Sequence, residues 1–266
     1  METSQGFARA VQPIRAETIH TDAGGLDAAA VKIPVSGGEM PAYCAMPHQV
    51  RHLPVILVVH EIFGVHEHIR DVCRRLAKLG YMAIAPELFH RHGDVSQMQD
   101  VQEILAKVVS KTSDAQVTSD LDAAIDYAAA TGKADISRLG LTGFCWGGRI
   151  AWLFAASSPR LQAAVAWYGR LAGPTDDLHP RHPIDIAAHL KHPVLGLYGG
   201  ADPGIPLDTV EGMRAAWLAA DKNAEIVVYP EAGHAFFADY RPSYNQAAAH
   251  DGWHRMRKWF DRYLNQ

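Results

Sequence analysis

Six short apolar runs recur along the 266-residue sequence: Val55–Val59, Tyr81–Ala85, Leu139–Gly143, Ala163–Trp167, Val194–Tyr198 and Ala224–Tyr229. Runs this short with little polar alternation are the mark of strands buried on both faces, and such strands pair in parallel through helical crossovers. Helical patterns do alternate with them. One runs over 68–79 and is closed by Gly80; another spans 115–130, with Leu121, Ala124, Ile125 and Ala128 at helical spacing. Further helices are predicted over 150–156, near 207–220 and near 245–264. The expectation is an α/β fold, a mostly parallel central sheet with helices on both faces. Two strands near Ala29–Val35 and Met40–Met46, turned at Ser36-Gly37-Gly38, add an antiparallel edge.

No composition break or linker cuts the series, so residues 26–266 read as a single domain. Residues 1–25, polar and irregular up to Asp22-Ala23-Gly24-Gly25, read as an N-terminal extension, a tail or a strap. With 25 Lys and Arg against 29 Asp and Glu, and no basic run, nothing favours nucleic acid as a partner. The apolar runs fall far short of the ~18 residues that would span a membrane, and the first residues lack a secretory signal's apolar core. Three scattered cysteines, Cys44, Cys73 and Cys145, give no disulfide framework and point to a reducing cytoplasm. No G-x-G-x-x-G follows the first parallel strand, so no nucleotide cofactor is expected.

In a parallel sheet, function collects where strands end. Gly143-Phe144-Cys145-Trp146-Gly147-Gly148 lies between a strand and a helix and has the G-x-nucleophile-x-G form of a nucleophile elbow, with cysteine in place of serine. Glycine is needed two residues before and after, where neighbouring backbone crowds the turn. A helix N-terminus also favours thiolate over thiol. The plainer reading is a packed cysteine beside a glycine turn.

A thiol nucleophile needs a base. His234 follows the last apolar run within Pro230-Glu231-Ala232-Gly233-His234, whereas His250 and His254, four apart on the final helix, read as a solvated face. His179, His182, His189 and His192 fall in a loop-rich segment that gives them no placement. The acid is expected between nucleophile and base, just past a strand, and Asp202 fits; Asp176 and Asp177 are weaker candidates. The alternative role for Asp202 is to cap the helix beginning near Pro206. The predicted triad is Cys145, His234 and Asp202.

Taken with Glu61-Ile62-Phe63-Gly64, Pro86-Glu87-Leu88, Tyr168-Gly169, Gly233-His234-Ala235-Phe236 and Arg241-Pro242-Ser243-Tyr244, these residues resemble the dienelactone hydrolase (carboxymethylenebutenolidase-like) family of α/β-hydrolases, from about residue 30 onward. The resemblance implies hydrolysis of a cyclic enol ester, typically a carboxylate-bearing dienelactone. It implies that Glu61 contacts the thiol and helps control its ionisation. The backbone N–H groups of Ile62 and Trp146 would form the oxyanion hole, which agrees with the two donors that the elbow geometry calls for. Phe63, Tyr168 and Phe236 would border the substrate, and Arg91 would occupy one of the family's two carboxylate-binding places. At the other, four residues past His234, stands Ala238, with Arg241 three residues later. Arg170 is a further anion contact to weigh against an ordinary surface arginine. No metal is expected: His60-Glu61 lacks a second His at H-E-x-x-H spacing, and a metal gathered by His66 and His68 with the pair His90 and His92 is the lesser alternative. The competing functions are a broader carboxylesterase or thioesterase with the same triad, and a non-catalytic binding protein on this fold.

Overall fold

The computed structural model describes residues 18–98 and 100–265; the first 17 residues of the expected N-terminal extension lie outside them. Eight strands form one sheet in the order β1-β2-β4-β3-β5-β6-β7-β8. β1 (Leu26–Val35) and β2 (Gly38–Pro47) are an antiparallel hairpin, and β2 also runs antiparallel to β4 (Met82–Pro86). From β4 onward the pairing is parallel, through β3 (Leu53–Val59), β5 (Ala134–Phe144), β6 (Ala163–Trp167), β7 (Val194–Gly199) and β8 (Ala224–Tyr229). This is the α/β-hydrolase fold. The continuous apolar runs account for it: β3, β4, β6 and β7 are buried at every position, as strands covered on both faces must be.

The helices are α1 (Glu67–Lys78), α2 (Val101–Lys107), α3 (Asp114–Ala130), α4 (Trp146–Ser157), α5 (Pro183–Ile186), α6 (Leu207–Ala219) and α7 (Gln246–Leu264). The chain moves left from β3 to β4 through α1 and right at each later crossover. Right-handed connections therefore set α1 on the face opposite α3, α4 and α6. α7 joins α1: Arg75 of α1 and Trp253 of α7 both lie against the Phe237 ring, at 5.8 Å each. On the other face, Trp152 of α4 donates its indole N–H to the Tyr198 hydroxyl of β7 (2.9 Å).

The described part of the N-terminal extension is a strap. Asp239 accepts the Ile19 N–H (3.3 Å), Asp71 accepts the Thr21 N–H (2.5 Å), and Arg74 donates to Thr21 O (2.7 Å). Two helices escaped the sequence reading, α2 and the four-residue α5. α2 begins with Asp100, whose side chain accepts the Glu103 N–H (2.8 Å), a helix-start signal visible in the sequence. Among the described residues, no helix is long and apolar enough to cross a membrane.

Candidate active site

The turn between β5 and α4 holds Cys145 at φ 56° and ψ −112°, a conformation that residues with a side chain avoid. Crowding explains the flanking glycines. A Cβ on Gly143 would stand 2.0 Å from Gly147 O, and one on Gly147 would stand 2.4 Å from Val59 O. The turn is anchored on both sides: the Cys145 N–H donates to Trp167 O of β6 (3.0 Å), and its carbonyl accepts the Gly148 and Arg149 N–H groups at 3.0 and 3.2 Å.

Three strand ends meet here. His234, after β8, places Nε2 3.1 Å from Cys145 Sγ and Nδ1 2.7 Å from Asp202 Oδ2, after β7. Asp202 is buried, and its other oxygen accepts the Gly204 N–H (2.8 Å). It thus fixes its own loop rather than capping α6, whose cap residue is Pro206. The carboxylate calls for the imidazole proton on Nδ1, which leaves Nε2 to face the sulfur. Burial opposes a charge on this ring, but hydrogen bonds and charge from Asp202 and Cys145 outweigh it and raise His234 to about 10. Such a ring can take the thiol proton and hold it as imidazolium beside a thiolate.

Ile62 follows β3, and Trp146 is the first residue of α4. Among the described residues, neither backbone N–H has a hydrogen-bond partner, and both residues line the same cavity as Cys145. These are the donors an oxyanion would need.

Glu61 lies beside them but bonds elsewhere than expected. Its Oε2 accepts the Tyr240 hydroxyl (2.7 Å) and lies 3.4 Å from His66 Nε2, while the thiol's hydrogen bond is to His234. Among the described residues there is no Glu61–Cys145 hydrogen bond. Burial works against a charge on Glu61, but His66, His68 and Arg241 outweigh it and hold the carboxyl below its usual range. Tyr240 was not singled out from the sequence; its partner lies 179 positions upstream.

The cavity above Cys145 measures about 550 Å³. Its floor carries Cys145, Trp146, Tyr168, Asp202 and His234. Much of the rest of its lining comes from two segments outside the strands, Leu105, Val109 and Ser110 from one and Pro174, Asp176, His179 and His182 from the other, joined by the bond from His179 Nε2 to Thr112 O (3.0 Å). Tyr168 is buried at φ 39°, with its ring edge-on to His234 at 5.3 Å.

Other expected substrate contacts are not brought to this cavity. Arg91 forms a two-point pair with Asp120 of α3, Nη1–Oδ2 2.5 Å and Nη2–Oδ1 3.0 Å, because that carboxylate is 1% exposed and needs a counter-charge. Phe236 is buried among Trp167, Tyr168 and Tyr229. Phe63 is buried with the Arg241 guanidinium 5.6 Å above its ring, so neither member of that pair lines the cavity. Among the described residues, no group of three or more His, Cys, Asp or Glu side chains could hold a metal ion. His68 is engaged by Asp239 (3.1 Å).

The chain is similar to known proteins along most of its length. A family model described as "Dienelactone hydrolase family" matches residues 40–264. The chain is 62% identical over 259 residues to a Methylorubrum extorquens protein named "Putative carboxymethylenebutenolidase", covering 97% of this chain and 89% of that protein. An Escherichia coli protein of the same name is 53% identical over 266 residues, 99% of this chain and 98% of its own. The crystal structure of a "Putative Dienelactone Hydrolase" from Klebsiella pneumoniae superposes with a TM-score of 0.87 at 56% identity, covering 90% of this chain and 99% of that one. The eight-stranded order, the glycine-flanked cysteine turn and a match over most of the sequence lead to one assignment: the chain belongs to the dienelactone hydrolase family.

Proposed function

We propose that the protein hydrolyses an ester or lactone bond of a small molecule through an acyl-cysteine intermediate. The observation that carries this reading is the continuous contact from Cys145 Sγ to His234 Nε2 (3.1 Å) and from His234 Nδ1 to Asp202 (2.7 Å), at the floor of a cavity. The names of the relatives support an ester bond, and a lactone in particular.

The chemistry runs in two halves. His234 takes the thiol proton, and sulfur adds to the carbonyl carbon, moving the π pair onto oxygen. The Ile62 and Trp146 N–H groups hold that oxyanion. Its collapse breaks the bond to the leaving oxygen, which takes the proton from His234; in a lactone the leaving group stays tethered and the ring opens. Water, deprotonated by His234, then adds to the thioester, and its collapse returns the thiolate and a carboxylic acid. Asp202 keeps the imidazole oriented and stabilises its charged form. Glu61, held by Tyr240, adjoins the Ile62 donor in the chain. Burial raises the Cys44 thiol to about 12 and the Cys73 thiol well above its usual value, so Cys145 is the thiol of choice. Three free cysteines favour a reducing, cytoplasmic setting.

A broader carboxylesterase or thioesterase is the second reading, favoured by the apolar wall of Leu105, Val109 and Ile205. The test is intact-protein mass spectrometry during turnover of a butenolide and of an aryl ester. An acyl adduct on Cys145, absent from Cys145→Ala together with all but a trace of activity, is expected. More than a few per cent of wild-type rate in Cys145→Ala would sink the nucleophile assignment.

A further inference from the structure

The cavity above Cys145 is lined by a small set of charged side chains, and all but one can be followed to a partner. Asp202 is engaged by His234. Asp176 accepts from the His179 ring (2.9 Å) and from the Leu178 and His179 N–H groups (2.9 and 2.7 Å). Arg149 is consumed by a two-point pair with Asp114 (2.6 and 2.8 Å) and by Arg181 O (2.7 Å). Arg170 remains. It lines the cavity, and among the described residues it makes no hydrogen bond, ion pair or ring contact.

Its backbone is fixed. Tyr168, two residues earlier, donates its N–H to Leu197 O (2.8 Å) and touches His234 with its ring. A Cβ on Gly169 would stand 2.3 Å from the Arg149 nitrogen, so the segment is pressed onto the start of α4. The Tyr168 hydroxyl is itself buried without a hydrogen-bond partner among the described residues. The arginines that the sequence offered elsewhere are spent, Arg91 on Asp120 and Arg241 on the Phe63 ring.

We propose that Arg170 is the specificity-determining residue of this site, anchoring a carboxylate of the substrate from the β6 side of the cavity while the apolar body lies against Leu105 and Val109. A guanidinium with no internal partner gives up only water to bind an anion, and it can grip a carboxylate through two parallel N–H donors. This inference rests on the hydrolase reading for its catalytic consequence, but its binding consequence stands apart.

Two measurements separate them. The first is the rate of Cys145 alkylation by iodoacetamide, followed by mass, with hexa-2,4-dienoate or hexa-2,4-dienamide as protectant. The acid should protect at about tenfold or more lower concentration than the amide. Arg170→Gln should abolish that preference and Arg170→Lys restore part of it. The second is hydrolysis of mono-4-nitrophenyl glutarate and its methyl ester. In Arg170→Gln the ratio of kcat/KM, anionic over neutral, should fall about ten- to a hundredfold, mainly through KM. Equal protection by acid and amide, or a preference that survives in Arg170→Gln, overturns the proposal. A protection preference that behaves as expected, with neither ester hydrolysed, supports the Arg170 site and sinks the hydrolase reading instead.

Discussion

Truncating Arg91 to alanine separates a structural arginine from a substrate-binding one. Arg91 and Asp120 join the turn after β4 to α3 through two hydrogen bonds of 2.5 and 3.0 Å, with side chains 27% and 1% exposed. Without Arg91, the buried Asp120 carboxylate keeps one side-chain partner, Gln116 Nε2 at 3.1 Å. Breaking a fully buried pair costs about 3–5 kcal/mol. Water reaches this guanidinium and Gln116 remains, so the expected loss is about 2–3 kcal/mol. At about 2–4 °C per kcal/mol for a chain of this size, Tm should fall by about 4–12 °C. Urea denaturation of Arg91→Ala, Asp120→Ala and the double variant closes a cycle, in which the second truncation should cost much less than the first. The ratio of kcat/KM between a carboxylate-bearing ester and its neutral analogue should stay at the wild-type value. A loss below about 0.5 kcal/mol, or a tenfold rise in KM confined to the anionic ester, would refute the reasoning.

Cys145→Gly should raise Tm by a few degrees while ending turnover, because glycine relieves about 1–3 kcal/mol of strain at φ 56° against an entropic cost of about 0.5–1 kcal/mol; a lower Tm would show that the turn is unstrained. Against burial, which lowers it, Asp202 and Cys145 raise His234 to about 10, so the stability this group contributes is complete below about pH 6.5 and is lost as pH rises through about 10. Urea midpoints should therefore decline from pH 7 to 10, and Asp202→Asn should flatten the decline; identical slopes would contradict the assigned partner. Tyr240→Phe strips Glu61 of the 2.7 Å hydrogen bond from the Tyr240 hydroxyl and should cost about 1–3 kcal/mol in denaturant melts. An unchanged midpoint would mean that water already serves that carboxylate.

The sheet was legible because burial on both faces writes itself as uninterrupted apolar sequence. Ala163–Trp167 and Ala224–Tyr229 are strands at the predicted residues. The meeting of Cys145, Asp202 and His234 was legible because all three follow such runs, and parallel strands deliver their ends to one edge. The walls were not. α2 has seven residues, too few for a helical period to register, and the 170–182 segment is held by contacts such as His179 Nε2 to Thr112 O (3.0 Å), 67 positions apart. Pairings of this kind leave no local trace, and the Arg91–Asp120 pair, 29 positions apart, is another of them.

Cys145, Asp202 and His234 stand just past the ends of hydrogen-bonded strands, whereas much of the chamber around them is built from residues 105–110, 170–182 and 203–205, which belong to no strand. Selection can therefore rework the chamber without disturbing the 3.1 Å spacing between sulfur and imidazole. Grafting the wall segments of one relative onto the strand ends of another should therefore transfer substrate preference and leave the proposed chemistry in place.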